Sequence, residues 1–167
     1  MTRHLALALV LALVAGPVRA QGVACMAPAA TRDWQSPAFG LGMRHPASFR
    51  LEDTSRDTAR FVSLDGQASA TVTAIRNGLR QSLAEVMAEA RQDILENSGG
   101  TITYSRARES WFVLSGYMAG RIFYRRSLLS ADGRVIGTLW VEFPRAMKPC
   151  FEAAVTIMSL SFREAAR

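Results

Sequence analysis

The stretch from Ser110 to Pro144, SWFVLSGYMAGRIFYRRSLLSADGRVIGTLWVEFP, constrains this chain more than any other. Trp111 to Tyr117 and Arg121 to Leu129 are rich in aromatic and branched side chains, which fit the pleated, half-buried surface of a sheet. Gly116 and Gly120 lie between them and admit a tight or irregular turn. Asp132-Gly133 follows, and Asp-Gly between two apolar runs is a strong hairpin signal. The spacing therefore predicts three consecutive antiparallel strands. In the last, Val135 to Phe143, alternation places Val135, Gly137, Leu139, Val141 and Phe143 on one face. Ile136, Thr138, Trp140 and Glu142 fall on the other. Apolar residues occur on both faces, so both faces of this strand must be covered at least in part.

The first twenty residues read as an export signal: Arg3 gives a charged start, Leu5 to Ala15 an apolar run, and Val18-Arg19-Ala20 a cleavage site. The apolar run is shorter than the roughly 20 residues a bilayer span requires, so the mature chain is expected to carry no transmembrane segment and to be periplasmic or secreted. Of 20 Lys and Arg against 14 Asp and Glu, only Arg3 and Arg19 leave with the signal, and the remainder stays basic. Lys148 is its one lysine, so the positive charge resides on forked guanidinium groups suited to carboxylate and phosphate. Export argues against nucleic acid as a partner. In an oxidising compartment Cys25 and Cys150 are expected to pair, tying the N-terminus to the C-terminal segment. The alternative is acylation of Cys25, preceded by Gly22-Val23-Ala24.

Along the chain, 21–37 reads as an irregular lead-in in which Trp34 packs on the domain edge. Phe39, Leu41 and Met43 alternate in a strand from Ala38 to His45, which Pro46 ends. The charged run Glu52 to Arg60 reads as a solvated loop. Arg60 to Leu64 and Ala68 to Ile75 flank Asp65-Gly66 as a second hairpin. The period then changes: Ser82 and Glu85 form a capping box, and apolar residues recur at helical spacing over 82–97 until Gly99-Gly100. Thr101 to Arg108 returns to a strand with Ile102 and Tyr104 on one face. Phe151, Ala154, Val155, Ile157 and Met158 mark a closing helix after Pro149. The reading is one α+β domain over 38–163, a mostly antiparallel sheet covered by helices, with a short tail at 164–167.

The succession FGLGMRHPASF, ARFVSLDGQASATV, SLAEVM, TITYSRARESWFVLSGYMAGRIFYRR and GTLWVEFP, closing in LSF, resembles a family of small exported bacterial proteins of unknown function. Its layout is similar to the PsbP-like fold of photosystem II extrinsic proteins of the thylakoid lumen and of small Ran-binding nuclear import factors. The resemblance spans roughly Ala38 to Arg163 and implies an α/β/α sandwich around a twisted antiparallel sheet, in an accessory or binding protein. No residue pattern here matches the calcium site of photosystem members, and no cofactor is expected.

Chemistry is sparse. His45 with Ser115 is the one conceivable base and nucleophile, but Leu114-Ser115-Gly116 is not a Gly-x-Ser-x-Gly elbow. His45, the one histidine left once the expected signal carrying His4 is removed, beside two cysteines expected to pair, leaves no zinc set. The carboxylates Glu85, Glu89, Asp93 and Glu96 read as a solvated helix face. A basic cluster, Arg106, Arg108, Arg121, Arg125 and Arg126, lies beside Trp111, Tyr124 and Trp140. Alternation puts Arg121 and Arg125 on one face and Arg126 with Tyr124 on the other, so they do not form one patch. Its plainest role is a charged sheet edge that deters unwanted pairing. Its functional role is a binding surface of Arg121, Arg125, Arg126, Trp111 and Tyr124 for an envelope protein or an anionic ligand. The sequence thus leads to a non-enzymatic envelope binding domain. A hydrolase-type enzyme with an unrecognised site, or a stabilising or inhibitory subunit of a larger enzyme, are the alternatives.

Overall fold

A computed structural model describes Cys25 and residues 30–36 and 38–165. The predicted export signal, most of the lead-in and the end of the tail lie outside the described residues. In chain order the elements are β1 (Thr31–Gln35), β2 (Leu41–Pro46), β3 (Phe49–Thr54), β4 (Thr58–Ser63), β5 (Ser69–Arg76), α1 (Leu83–Gln92), β6 (Thr101–Ala107), β7 (Trp111–Met118), β8 (Arg121–Leu129), β9 (Val135–Pro144), α2 (Lys148–Ser161) and β10 (Arg163–Glu164). They form a seven-stranded antiparallel sheet ordered β3-β4-β5-β9-β8-β7-β6 and a small sheet ordered β1-β2-β10. The α+β sandwich expected from the sequence is present.

The alternation read in β9 divides the core in two. Leu139, Val141 and Phe143 pack with Phe151, Ala154 and Met158 of α2 and with Leu41 and Met43 of the small sheet. On the other face Ile136 joins Val86, Ala90 and Ile94 from α1 and its extension, with Phe112, Leu114 and Phe123. Alternation turns Gly137 to the first cluster, where a Cβ would meet Leu41 Cδ1 at 2.8 Å and displace that buried side chain. Cover is staggered. The small sheet and α2 lie over β3–β5, β9 and β8 on one face, α1 lies over β7–β9 on the other, and each face is left open at the opposite end of the sheet.

Local chemistry explains the turns. Ser63 and Ser130 each donate their hydroxyl to the aspartate two residues on, Asp65 and Asp132, and Gly66 and Gly133 return their amides to the serine carbonyls at 2.8 Å. Both glycines have positive φ. Two hairpins thus share one Ser-x-Asp-Gly device. The Ser82 hydroxyl accepts from the Glu85 amide, while the Glu85 carboxylate accepts from the Ser82 amide, as the capping box requires. Those bonds hold the Glu85 pKa below its usual value. Helix α1 widens into a π turn over Asp93–Asn97 before Gly100.

Four readings are corrected. Thr31–Gln35, placed in the irregular lead-in, is a strand on β2, and Trp34 meets Phe61 edge-on at 5.6 Å. The charged run after Glu52 belongs to the β3–β4 hairpin, because Glu52 pairs with Arg50 and Arg60 on the open face and its polarity suits an uncovered strand. A bulge in β6 between Ile102 and Tyr104 gives these residues opposite faces: Ile102 packs with α1, and Tyr104 is exposed. Gly116 is inside β7 rather than in its turn, since a Cβ there would lie 1.8 Å from the Thr101 carbonyl oxygen. The turn is made by Ala119 and Gly120, both with positive φ.

Cys25 and Cys150 are joined, with Cα atoms 4.8 Å apart and 125 residues between them in sequence. No helix among the described residues is long and apolar enough to cross a membrane.

Candidate binding surface

Strand alternation separates the predicted arginines as expected. On the α1 face Arg121 is tied down: its Nε lies 3.6 Å from Glu142 Oε1 and its Nη2 donates to the Gln67 carbonyl at 2.9 Å. Arg125, on the same face, donates from Nε to Ser127 Oγ at 3.1 Å and lies over the Phe112 ring. Neither reaches the opposite face, where Arg126, Trp111 and Tyr124 come together.

That second group is built by register. Val113 pairs with Arg126 and Trp111 with Leu128, so Arg126 and Trp111 are diagonal neighbours on one face. The Arg126 guanidinium carbon lies 4.4 Å from the Trp111 ring centre, and its Nε is buried without a hydrogen-bond partner among the described residues. Burial pushes the Arg126 pKa down, and Tyr124 opposes the shift. Tyr124 shares a hydrogen bond with Ser159 of α2, and burial raises its pKa.

Helix α2 reaches this face as far as Tyr124. Beyond it Trp111 and Tyr117 are half-buried and Tyr104 and Arg106 are exposed. Arg145, in the turn before α2, places its guanidinium 4.4 Å from the Tyr117 ring centre. Arg106, Arg126 and Arg145 make no ion pair among the described residues, whereas Arg50, Arg60, Arg121 and Arg134 do. The open end of this face is therefore cationic and aromatic, with charge left uncompensated. A guanidinium stacked on an aromatic ring keeps its edge donors available to a carboxylate or phosphate.

Sequence reasoning missed Tyr104, Tyr117 and Arg145 here. Tyr117 was legible, since it follows Trp111 at even spacing; Tyr104 was hidden by the β6 bulge, and Arg145 arrives from a turn that no period marks.

The serine and histidine considered for catalysis are used elsewhere. Ser115 Oγ donates to the Phe123 carbonyl at 2.9 Å, and the buried His45 ring packs 4.8 Å from Phe61 with Nδ1 donating to the Pro46 carbonyl. Strands β4, which carries Phe61, and β7, which carries Ser115, are separated by three others at about 4.8 Å spacing, far too distant for proton transfer. No group of three metal-ligating side chains lies together among the described residues. An apolar recess of about 460 Å³ beside the cystine is lined by Phe49, Leu64, Met147 and Phe151.

Solved structures share this architecture. The Ran-binding protein Mog1p of Saccharomyces cerevisiae matches with a TM-score of 0.62 at 9% identity, over 81% of this chain and 95% of its own. The cyanobacterial PsbP protein CyanoP from Synechocystis matches with a TM-score of 0.60 at 11% identity, over 90% of this chain and 98% of its own. The chain has the PsbP-like fold. At such identities the likeness is one of fold, and it agrees with the resemblance read from the sequence. No protein-family model and no curated protein sequence matches the chain. Within the PsbP-like fold, the cationic surface lies on the end of the sheet that α2 leaves bare, built from β6, β7 and Arg126 of β8 with Arg145 reaching in from the turn before α2.

Proposed function

We propose that this chain is an exported, non-catalytic binding domain of the cell envelope that holds an acidic partner protein through the surface around Trp111, Arg126, Tyr117 and Arg145. The observation that carries this reading is the pairing of two unneutralised guanidinium groups with two part-exposed aromatic rings on the open end of one sheet face. Trp, Tyr and Arg are the residue types that dominate binding energy at protein interfaces. A protein of the same fold is described as Ran-binding, which supports a role in protein contact. Export rests on the leader pattern and on the Cys25–Cys150 bond, since cystines persist in oxidising compartments.

Capture from a periplasmic extract on the immobilised mature chain tests this. Trp111→Ala and Arg126→Ala should each release the partner retained by the wild type, while Arg60→Ala, on the opposite face, should retain it. Equal capture by all three variants overturns the reading.

A further inference from the structure

The opposite face holds a second site of different chemistry. Along the side of α1 that borders the open half of the sheet, a cleft of about 380 Å³ opens between the helix and strands β5, β9 and β8. This falls within the roughly 300 to 1,000 Å³ usual for small-molecule sites. Its floor is one row of cross-strand neighbours: Trp140 pairs with Arg125, and Thr138 lies two residues before Trp140. The Trp140 ring is fixed by stacking on Phe123 at 5.2 Å and by its Nε1 donating to Glu142 at 3.3 Å. Ile75 and Ile136 give the cleft an apolar end.

The charges in the cleft are separated rather than paired. Arg125 rises from the sheet, while Glu89 and Asp93 belong to α1 and its π turn, and Arg125 makes no ion pair among the described residues. Its Nε is committed to Ser127, which leaves the two terminal nitrogens for another acceptor. Burial lowers the Arg125 pKa, and Asp93 opposes this from a distance. The carboxylates retain capacity as well: Glu89 accepts from the Gln81 side-chain amide, and Asp93 accepts from Asn97 at 3.2 Å. Each carboxylate has several lone-pair sites, so one bond leaves room for others.

We infer that this cleft binds a small apolar zwitterion, a free α-amino acid with a side chain of leucine or phenylalanine size. Its carboxylate meets Arg125, its ammonium meets Glu89 and Asp93, and its side chain lies along Trp140 and the isoleucines. Glu89 and Asp93 are solvent-exposed, so a molecule with only one of these charges forgoes one set of charge-assisted contacts, and the cleft favours a molecule that carries both. The site is on the far face from Arg126 and stands independently of the partner surface proposed above.

Isothermal titration calorimetry on the mature chain with leucine, phenylalanine, N-acetyl-leucine and leucinamide provides the test. The free amino acids should bind, and each blocked form should bind at least about tenfold more weakly, the worth of one charged hydrogen bond. Arg125→Gln should abolish binding. Thr73→Trp, a substitution at a half-buried position lining the cleft, should abolish it too by filling the space, and so covers the case in which the Arg125 variant fails to fold. The inference is overturned by no heat from any free amino acid up to about 10 mM, a concentration that would reveal even millimolar affinity. Equal binding of either blocked form, or unchanged binding to Thr73→Trp, overturns it as well.

Discussion

Arg126 stacks on Trp111 with 4.4 Å between guanidinium carbon and ring centre, while the adjacent Arg125 turns to the other face of the sheet and lies over Phe112 at 5.7 Å. Two consecutive arginines thus serve two surfaces. The Trp111 pair should show measurable coupling: in a double-mutant cycle of Arg126→Ala and Trp111→Ala, urea unfolding should give about 0.5 to 1 kcal/mol of interaction energy, as expected of a partly exposed cation–π pair.

The cystine closes a loop of more than a hundred residues. Replacing Cys25 and Cys150 together by serine should lower the unfolding free energy by up to about 4 to 5 kcal/mol, read as a fall in the urea midpoint with a steeper slope, because the denatured chain freed of its cross-link exposes more surface. The unreduced wild type, unfolded and titrated with a thiol reagent, should yield no free thiol.

Gly116 faces the backbone of β6 at a distance that no side chain tolerates. Gly116→Ala should destabilise the fold by about 3 kcal/mol, the upper end of ordinary overpacking, and should raise hydrogen exchange in Thr101–Ala107 first. Gly78→Ala, where a Cβ meets nothing within 4 Å and φ is not positive, should change stability by less than about 0.5 kcal/mol.

His45 is buried, and burial lowers its pKa from the usual histidine value. The neutral ring is therefore the form the fold prefers. As pH falls below about 6.5 the unfolded chain takes up a proton that the folded chain refuses, so the contribution of His45 to stability is lost down to its folded pKa. Denaturant midpoints between pH 7.5 and 5.5 should fall more in the wild type than in His45→Gln.

Much of this was legible in the sequence where a period was clean. The two-faced alternation of β9, the capping box at Ser82 and the opposite directions of Arg125 and Arg126 all follow from spacing, and all three are present in the fold. What escaped was non-periodic. The bulge at Thr103 reverses every face after it in β6, so Tyr104 could not be assigned to the Trp111 surface. The β3–β4 hairpin was hidden because its outward face is uncovered and its polar side chains imitate a loop. Arg145 reaches Tyr117 only through the tertiary placement of α2, which spacing does not encode. The cleft beside Arg125 depends on where α1 lies over the sheet.

Site-specific photocrosslinking in the native envelope tests the central claim most directly. With the mature chain exported and a benzoylphenylalanine placed at Tyr104 or at Arg60, illumination should produce a protein adduct from position 104 and none from position 60. Adducts from position 60 alone, or from both positions in equal yield, would contradict the assignment of partner binding to the Trp111–Arg126 surface.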